Sequence, residues 1–308
     1  MPPSGQAAMT KGKGAERTTV NDARFMRLTL GLAKKGVGKT SPNPAVGAVI
    51  VKNDRVVSKG WHKKAGMPHA EAAALSKKNL NARNATLYVT LEPCCHFGKT
   101  PPCTKAIIRS GIKRVVVGTR DPNPLVAGKG IKALKRAGIE VLSGVLENEC
   151  SGLNLSFNKF ITSKTPYVTL KLAAAIDGRI ATSIGESRWI TGTASRKYVH
   201  KFRAVTDAVV TGVGTVIKDN PLLTARGIRG FSPPRGINPT RVVLDSSFKT
   251  PLDANVFKRY PGDRDGRPPV VFTTGNASKG KIEQAKILGI NVIVVPNSRD
   301  GVDLITAL

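Results

Sequence analysis

Three side chains suited to a single metal ion lie far apart in this chain: His69, Cys94 and Cys103. To meet at one point, the segments that carry them must fold back on one another, and this demand limits the architecture more than any other feature. Each residue stands at a junction. His69 opens Ala70-Glu71-Ala72-Ala73-Ala74, a run of good helix formers. Cys94 follows the apolar, strand-like run Ala85 to Leu91 through Glu92-Pro93, and Pro102-Cys103 opens a second predicted helix, Thr104 to Ser110. Pro93 lacks an N–H and is suited to starting a helix, whose N-terminus would lower the pKa of Cys94. The pattern predicts a layered α/β domain.

The residue types point to a chemistry. One imidazole and two thiolates leave a fourth zinc position for water, whose pKa falls from ~15.7 toward ~7. Glu71, two residues past the histidine, is a carboxylate beside the metal that is not a ligand. It suits proton transfer from water to a ring nitrogen and a departing ammonia. The reading is hydrolytic deamination at an amidine-like ring carbon. A closed structural zinc with Cys95 or His96 as fourth ligand is the alternative; Glu71 and Pro93 favour catalysis. Cys95 is expected to point away from the metal, and Cys150 to be a small buried hydrophobe. Four cysteines, two of them assigned to metal, do not suggest a disulfide framework, and a reducing cytoplasm is the expected compartment.

Around these ligands the chain alternates between helix and strand. Asn21 to Lys35 reads as a helix stopped by Gly36-Val37-Gly38. Val46 to Val51 and Val56 to Gly60 read as strands joined at Asn53-Asp54. Arg114 to Gly118 is a near-continuous valine strand of the parallel, buried type. Gly130 to Ala137 reads as helix and Glu140 to Leu142 as a short strand.

A second segment begins near Thr165-Pro166. Predicted strands are Tyr167 to Ala173, Asp207 to Thr211, Arg241 to Leu244, Val270 to Phe272 and Val292 to Val295. Predicted helices are Ser195 to Phe202, Lys281 to Ile287 and, at the end, Val302 to Leu308. Tyr260 to Pro269 reads as an exposed loop. Gly212-x-Gly214 follows a strand, but Ile217 stands where a dinucleotide fingerprint needs its third glycine. Trp189, between polar neighbours, fits either a binding loop or an anchor into the core.

With 308 residues, 40% of them hydrophobic, the chain can bury two cores. The expected division is a basic disordered tail over 1–20, a zinc-dependent domain over 21–165 and a second domain over 166–308. No apolar run reaches the ~20 residues of a membrane span, and the start carries no signal-peptide pattern. The 49 Lys plus Arg against 20 Asp plus Glu give a net charge of +29. These charges are dispersed and not interleaved with aromatics, so a nucleic-acid-binding or editing protein is the weaker reading; an anionic substrate with a phosphorylated cofactor, or a general bias of the proteome or a high-salt cytoplasm, accounts for the charge as well.

The motifs together resemble the bifunctional riboflavin-biosynthesis deaminase/reductase family. In the first half these are Thr40-Ser41-Pro42-Asn43-Pro44-Ala45-Val46-Gly47, His69-Ala70-Glu71, Thr90-Leu91-Glu92-Pro93-Cys94, Gly98-Lys99-Thr100-Pro101-Pro102-Cys103 and Asp121-Pro122-Asn123-Pro124. In the second half they are Lys171-Leu172-Ala173, Asp177-Gly178-Arg179, Gly185-Glu186-Ser187, Trp189-Ile190-Thr191 and Asp219 to Thr224. The resemblance implies a cytidine-deaminase-like three-layer domain fused to a dihydrofolate-reductase-like α/β domain. The implied reactions are removal of the 2-amino group of a phosphorylated diaminopyrimidine, then NADPH-dependent reduction of its ribosyl group. The implied deaminase substrate contacts are Asn43, His62, His96 and Lys99, with Lys99 suited to a phosphate. The implied NADPH contacts are Ala173, Trp189, Thr191, Thr215, Asp219 and Ser246. Those to the reductase substrate are Ser187, Arg203, Leu223 and Arg226, the arginines suiting a phosphate. A cytoplasmic homo-oligomer is also implied. Two departures stand out. Cys95-His96-Phe97 replaces a Ser-His-His run, and no Glu-Gly-Gly segment occurs, so the second domain reads as truncated and a deaminase without an active reductase is the alternative.

Overall fold

A computed structural model describes residues 20–97, 101–187, 189–226, 238–260, 263, 267–299 and 301–307. The chain divides into two units. One runs to Gly36 and then from Asn43 to Thr162; the other holds Val37–Pro42 and everything from Ser163 onward.

The first unit contains α1 (Val20–Ala33), β1 (Gly47–Lys52), β2 (Arg55–Trp61), α2 (Ala70–Leu75), β3 (Thr86–Leu91), α3 (Cys103–Arg109), β4 (Arg114–Thr119), α4 (Lys129–Arg136), β5 (Glu140–Ser143), α5 (Glu147–Gly152) and α6 (Leu155–Ser163). The sheet order is β2-β1-β3-β4-β5. Strands β2, β1 and β3 are antiparallel, while β3, β4 and β5 are parallel. Asn53 and Asp54 both take positive φ in the hairpin between β1 and β2, as a tight primed turn requires.

Strand alternation explains the layers. Ala48, Ile50, Leu87, Val89, Val115 and Val117 pack with Ala70, Ala74, Ile107 and Leu134 of α2, α3 and α4. Their neighbours Val49, Val51, Tyr88, Val116 and Leu142 pack with Phe25, Met26, Leu30 and Cys150 of α1 and α5. Successive side chains point to opposite faces, so two cores form and the sheet is covered on both sides. Two glycines set the helix distances. A Cβ at Gly47 would lie 2.2 Å from the Thr29 carbonyl oxygen of α1, and one at Gly60 would lie 2.3 Å from that of Ala70 in α2. Asp22, 1% exposed, ties α1 to the sheet: Tyr88 Oη donates to it at 2.9 Å and Arg114 Nη1 at 2.7 Å.

The second unit contains α7 (Thr193–Arg203), β6 (Ala208–Gly212), α8 (Val213–Asp219), β7 (Thr240–Leu244), β8 (Val270–Thr273), α9 (Lys279–Ile287), β9 (Asn291–Val294), a hairpin of β10 (Asn297–Ser298) and β11 (Gly301–Val302), and α10 (Leu304–Ala307). Strands β6-β7-β8-β9 form a parallel sheet. Val243, Phe248, Val256, Phe257, Val271, Ala285 and Ile290 make its core.

One expectation is corrected here. Tyr167 to Ala173 is not a strand, and Val168, Leu170 and Leu172 are exposed. An alternating apolar pattern needs a hydrogen-bonded neighbour to become a strand, and no described segment pairs with this one. In the Tyr260 to Pro269 loop, of which only 260, 263 and 267–269 are described, 267 and 268 are exposed as expected, and Asp263 pins it. Asp263 accepts from Asn238 Nδ2 at 3.1 Å, from the Tyr260 N–H at 2.9 Å and from the buried Arg241 at 2.9 Å. Among the described residues, no helix is long and apolar enough to cross a membrane.

Candidate metal and catalytic site

The three ligand candidates converge. His69 is the residue before α2, in extended conformation, and Cys103 is the first residue of α3. Cys94 lies in the irregular segment after β3, not at a helix start, so the helix expected at Pro93 is absent. The helix end that meets its sulfur is that of α3, whose Cys103 N–H donates to Cys94 Sγ at 3.3 Å. His69 Nδ1 stands 3.6 Å from Cys94 Sγ and 3.4 Å from Cys103 Sγ. Ligand atoms ~2.1 Å (N) and ~2.3 Å (S) from a tetrahedral zinc lie about 3.5 Å apart, so the set fits that ion. Cys95 and His96 do not join the cluster, which leaves three protein ligands among the described residues, as a catalytic site requires.

The Cys103 thiol hydrogen-bonds Cys94 and, with His69, holds the Cys94 thiolate down to about 4. The same bond pushes Cys103 up and keeps it protonated. The bond to Cys94 raises His69 as well. Glu71, on the first turn of α2, is 3% exposed; burial, with the Cys94 charge adding, pushes its carboxyl up to about 7. A carboxyl at that value can both take and give a proton near neutrality.

Around the cluster, His62 is buried and its pKa is lowered by that burial. Its ring lies edge-on to that of His69, with centroids 5.4 Å apart, and Asn43 Nδ2 lies 3.2 Å from its Nε2. His96 is exposed on the loop after Cys94, and Lys99 lies outside the described residues. Glu92 carries a role that the sequence reading missed. Its buried carboxylate accepts from the N–H groups of Asp121, Gly128 and Ile131 at 3.3, 2.9 and 3.0 Å, so it ties the segment bearing Cys94 to the start of α4. The available signal was a charged residue ending the buried run Thr86–Leu91; its partners, 29 to 39 positions on, left no local trace.

In the second unit the carboxyl ends of the parallel strands carry several of the expected residues. Gly212 ends β6, Gly214, Thr215 and Asp219 lie exposed on α8, and Ser246 follows β7. A Cβ at Gly212 or Gly214 would meet open space, and this carboxyl edge is where ligands of open α/β sheets settle. Arg203, His200 and Arg226 gather round Thr224. His200 Nδ1 and Arg203 Nη1 approach the Thr224 carbonyl at 3.2 and 3.4 Å, and Arg226 Nη1 donates to its hydroxyl at 3.0 Å. Burial and Arg226 lower Arg203, and burial and both arginines lower His200, so an anion would relieve the cluster. Leu223, buried with φ +53, turns the chain into it, and such backbone strain in a non-glycine residue is typical of functional sites. Trp189 is 71% exposed, with Arg196 stacked 4.3 Å from its ring centroid, so the core-anchor reading of this tryptophan fails. Ala173 and Ser187 are half-buried outside any helix or strand, and Thr191 accepts from Arg196 through its carbonyl.

Comparison with known proteins covers both units. Residues 19–119 match the cytidine and deoxycytidylate deaminase zinc-binding region, and residues 166–308 match the RibD C-terminal domain. The riboflavin biosynthesis protein RibD of Aquifex aeolicus is 50% identical over 274 residues, spanning 89% of this chain and 74% of that protein. The structure of RibD from Acinetobacter baumannii superposes with a TM-score of 0.81 at 41% identity, over 94% of this chain and 76% of that one. A diaminohydroxyphosphoribosylaminopyrimidine deaminase/5-amino-6-(5-phosphoribosylamino)uracil reductase from Thermotoga maritima gives 0.74 at 42% identity, over 90% and 81%.

Proposed function

The chain belongs to the RibD family of riboflavin-biosynthesis proteins, and from that premise we propose which residues carry its two reactions. It is a bifunctional enzyme, a zinc-dependent deaminase and an NADPH-dependent reductase. With both halves matched, a deaminase standing alone is not favoured.

The convergence of His69, Cys94 and Cys103 beside buried Glu71 carries the deaminase reading. Zinc, when bound by these three, supplies an acidified water. Glu71, buried beside these ligands, would carry protons from the attacking water to the ring nitrogen and the leaving ammonia, so that C–NH2 and water become C=O and ammonia. Asn43, His62 and His96 serve the substrate side, and Lys99 takes its phosphate. In the second unit Ala173, Trp189, Thr191, Thr215, Asp219 and Ser246 hold NADPH, which supplies the reducing electrons. Arg203 and Arg226 grip the substrate phosphate, with Ser187 and Leu223 beside it. The substrate is a phosphorylated aminopyrimidine, and the enzyme works as a cytoplasmic homo-oligomer without nucleic acid or membrane; the dispersed charge favours a small anion over a polyanion.

The test follows ammonia release and NADPH oxidation together on the 5'-phosphorylated 2,5-diamino-6-ribosylamino-pyrimidinone. Ammonia should appear first, and NADPH oxidation should depend on it. A zinc-loaded protein that releases no ammonia would overturn the deaminase assignment.

A further inference from the structure

The segment that carries Cys94 is held between two helix starts, and one buried side chain makes most of the connection on one side. Glu92, 3% exposed, follows β3, and its own N–H donates to the Thr119 carbonyl of β4 at 3.0 Å. Its side chain then reaches α4. Oε2 accepts from the N–H groups of Asp121 and Gly128 at 3.3 and 2.9 Å, and Oε1 from that of Ile131 at 3.0 Å. The N-cap of α4 is Gly128, at φ +82, which has no side chain to offer the N–H groups of the first turn. Glu92 caps the helix in its place, from 36 positions earlier in the chain. Gly130 permits the approach: a Cβ there would lie 2.2 Å from the Pro93 carbonyl oxygen and 3.1 Å from Glu92 Oε1. On the other side the segment rests on α3. The Thr104 N–H donates to the Cys94 carbonyl at 3.2 Å, and the Cys103 N–H to Cys94 Sγ at 3.3 Å. Only Pro93, whose ring fixes its φ, stands between Glu92 and Cys94, so a shift of the one is carried to the other.

We propose that Glu92 is a positioning residue for the metal: its clamp on α4 sets the place of Cys94 Sγ before an ion binds. This rests on the zinc reading above and deepens it. Glu92 touches neither metal nor substrate and acts through Pro93 and Cys94. A ligand held in place in advance loses less freedom on binding, so opening the clamp should weaken metal affinity and not only the fold.

The test compares E92Q, G130A and R114M with the parent. Gln keeps the size of Glu and one acceptor oxygen, but turns an NH2 that cannot accept toward an N–H group. Gly130→Ala drives a Cβ into the Pro93 carbonyl and leaves Glu92 itself unaltered. Arg114, at the opposite end of β4 from Thr119, holds Asp22, so R114M weakens the same unit away from the clamp. Zinc Kd is measured by competition with a chelator, and the visible spectrum of cobalt(II)-loaded protein reports the thiolate geometry without turnover. E92Q and G130A should each bind zinc ~10- to 100-fold more weakly and shift the cobalt bands, while R114M should match the parent in both. Faster amide exchange at Asp121, Gly128 and Ile131 in E92Q should accompany the loss. Parent-like zinc affinity and cobalt bands in E92Q would overturn the proposal. So would a loss in R114M as large as that in E92Q, because the effect would then follow stability alone. If E92Q does not fold, G130A decides by the same two readings. A parent that takes up neither metal overturns the zinc reading together with the proposal, whereas variants that bind as the parent does overturn the proposal alone.

Discussion

Replacing Glu71 by Gln should make the metal-free protein more stable at neutral pH, even as it ends deamination. The carboxyl is buried, and its folded pKa is raised from 4.5 to about 7 by that burial, with the Cys94 charge adding. Such a displacement corresponds to about 3 kcal/mol between the two protonation states, an upper figure for one site. The sign follows from proton counting. Below the unfolded value near 4.5, folded and unfolded chains both hold the proton and the burial costs nothing. As pH rises toward 7 the unfolded chain releases it first, so the folded state loses stability, and above 7 the full cost is present. Gln carries no such cost. The stability of E71Q relative to the parent should therefore grow from near zero at pH 4.5 to about 3 kcal/mol at pH 8. Urea unfolding with a chelator present, in a Trp189→Phe background, isolates the fluorescence of Trp61 and hence the first unit. Zinc should narrow the gap, because a cation next to Glu71 favours its charged form. A stability difference that does not change with pH, or a parent more stable than E71Q at pH 8, would refute the reasoning. Ammonia release by E71Q should fall at least ~10²-fold with zinc retained.

Other perturbations probe the same framework. Zinc uptake should release protons, since the Cys103 thiol, pushed up by its bond to Cys94, must lose its proton to become a ligand, and affinity should rise with pH; titration in weak buffer measures both, and uptake without proton release would contradict the assignment. Gly60→Ala places a Cβ 2.3 Å from the Ala70 carbonyl and must push α2, with His69 and Glu71, off the sheet; a cost of ~1–3 kcal/mol and weaker zinc binding are expected in calorimetry. Arg114→Met leaves the Asp22 carboxylate buried with only part of its partners and should cost about 3 kcal/mol in urea unfolding, with zinc affinity unchanged once folded.

How much of this was legible in sequence depended on range. The ligands His69, Cys94 and Cys103 and the acid Glu71 declare themselves by residue type and spacing, because metal chemistry admits few side chains. Strands β1, β3 and β4 declare themselves because burial on both faces forces continuous apolar runs. The turn at Asn53-Asp54 follows from local backbone sterics. Other features belong to the tertiary structure. Tyr167 to Ala173 has the composition of a strand and no pairing partner among the described residues, and pairing is not a local property. Cys94 draws on the N-terminus of α3, nine residues on, rather than on a helix of its own. Glu92 holds N–H groups up to 39 positions away, and Asn154 clamps the Ala45 backbone from 109 positions on. Sequence by itself determined which atoms can do the chemistry, because reactivity belongs to side-chain type. Only the folded chain decided which thiol stays protonated, because that state depends on burial and on partners distant in sequence.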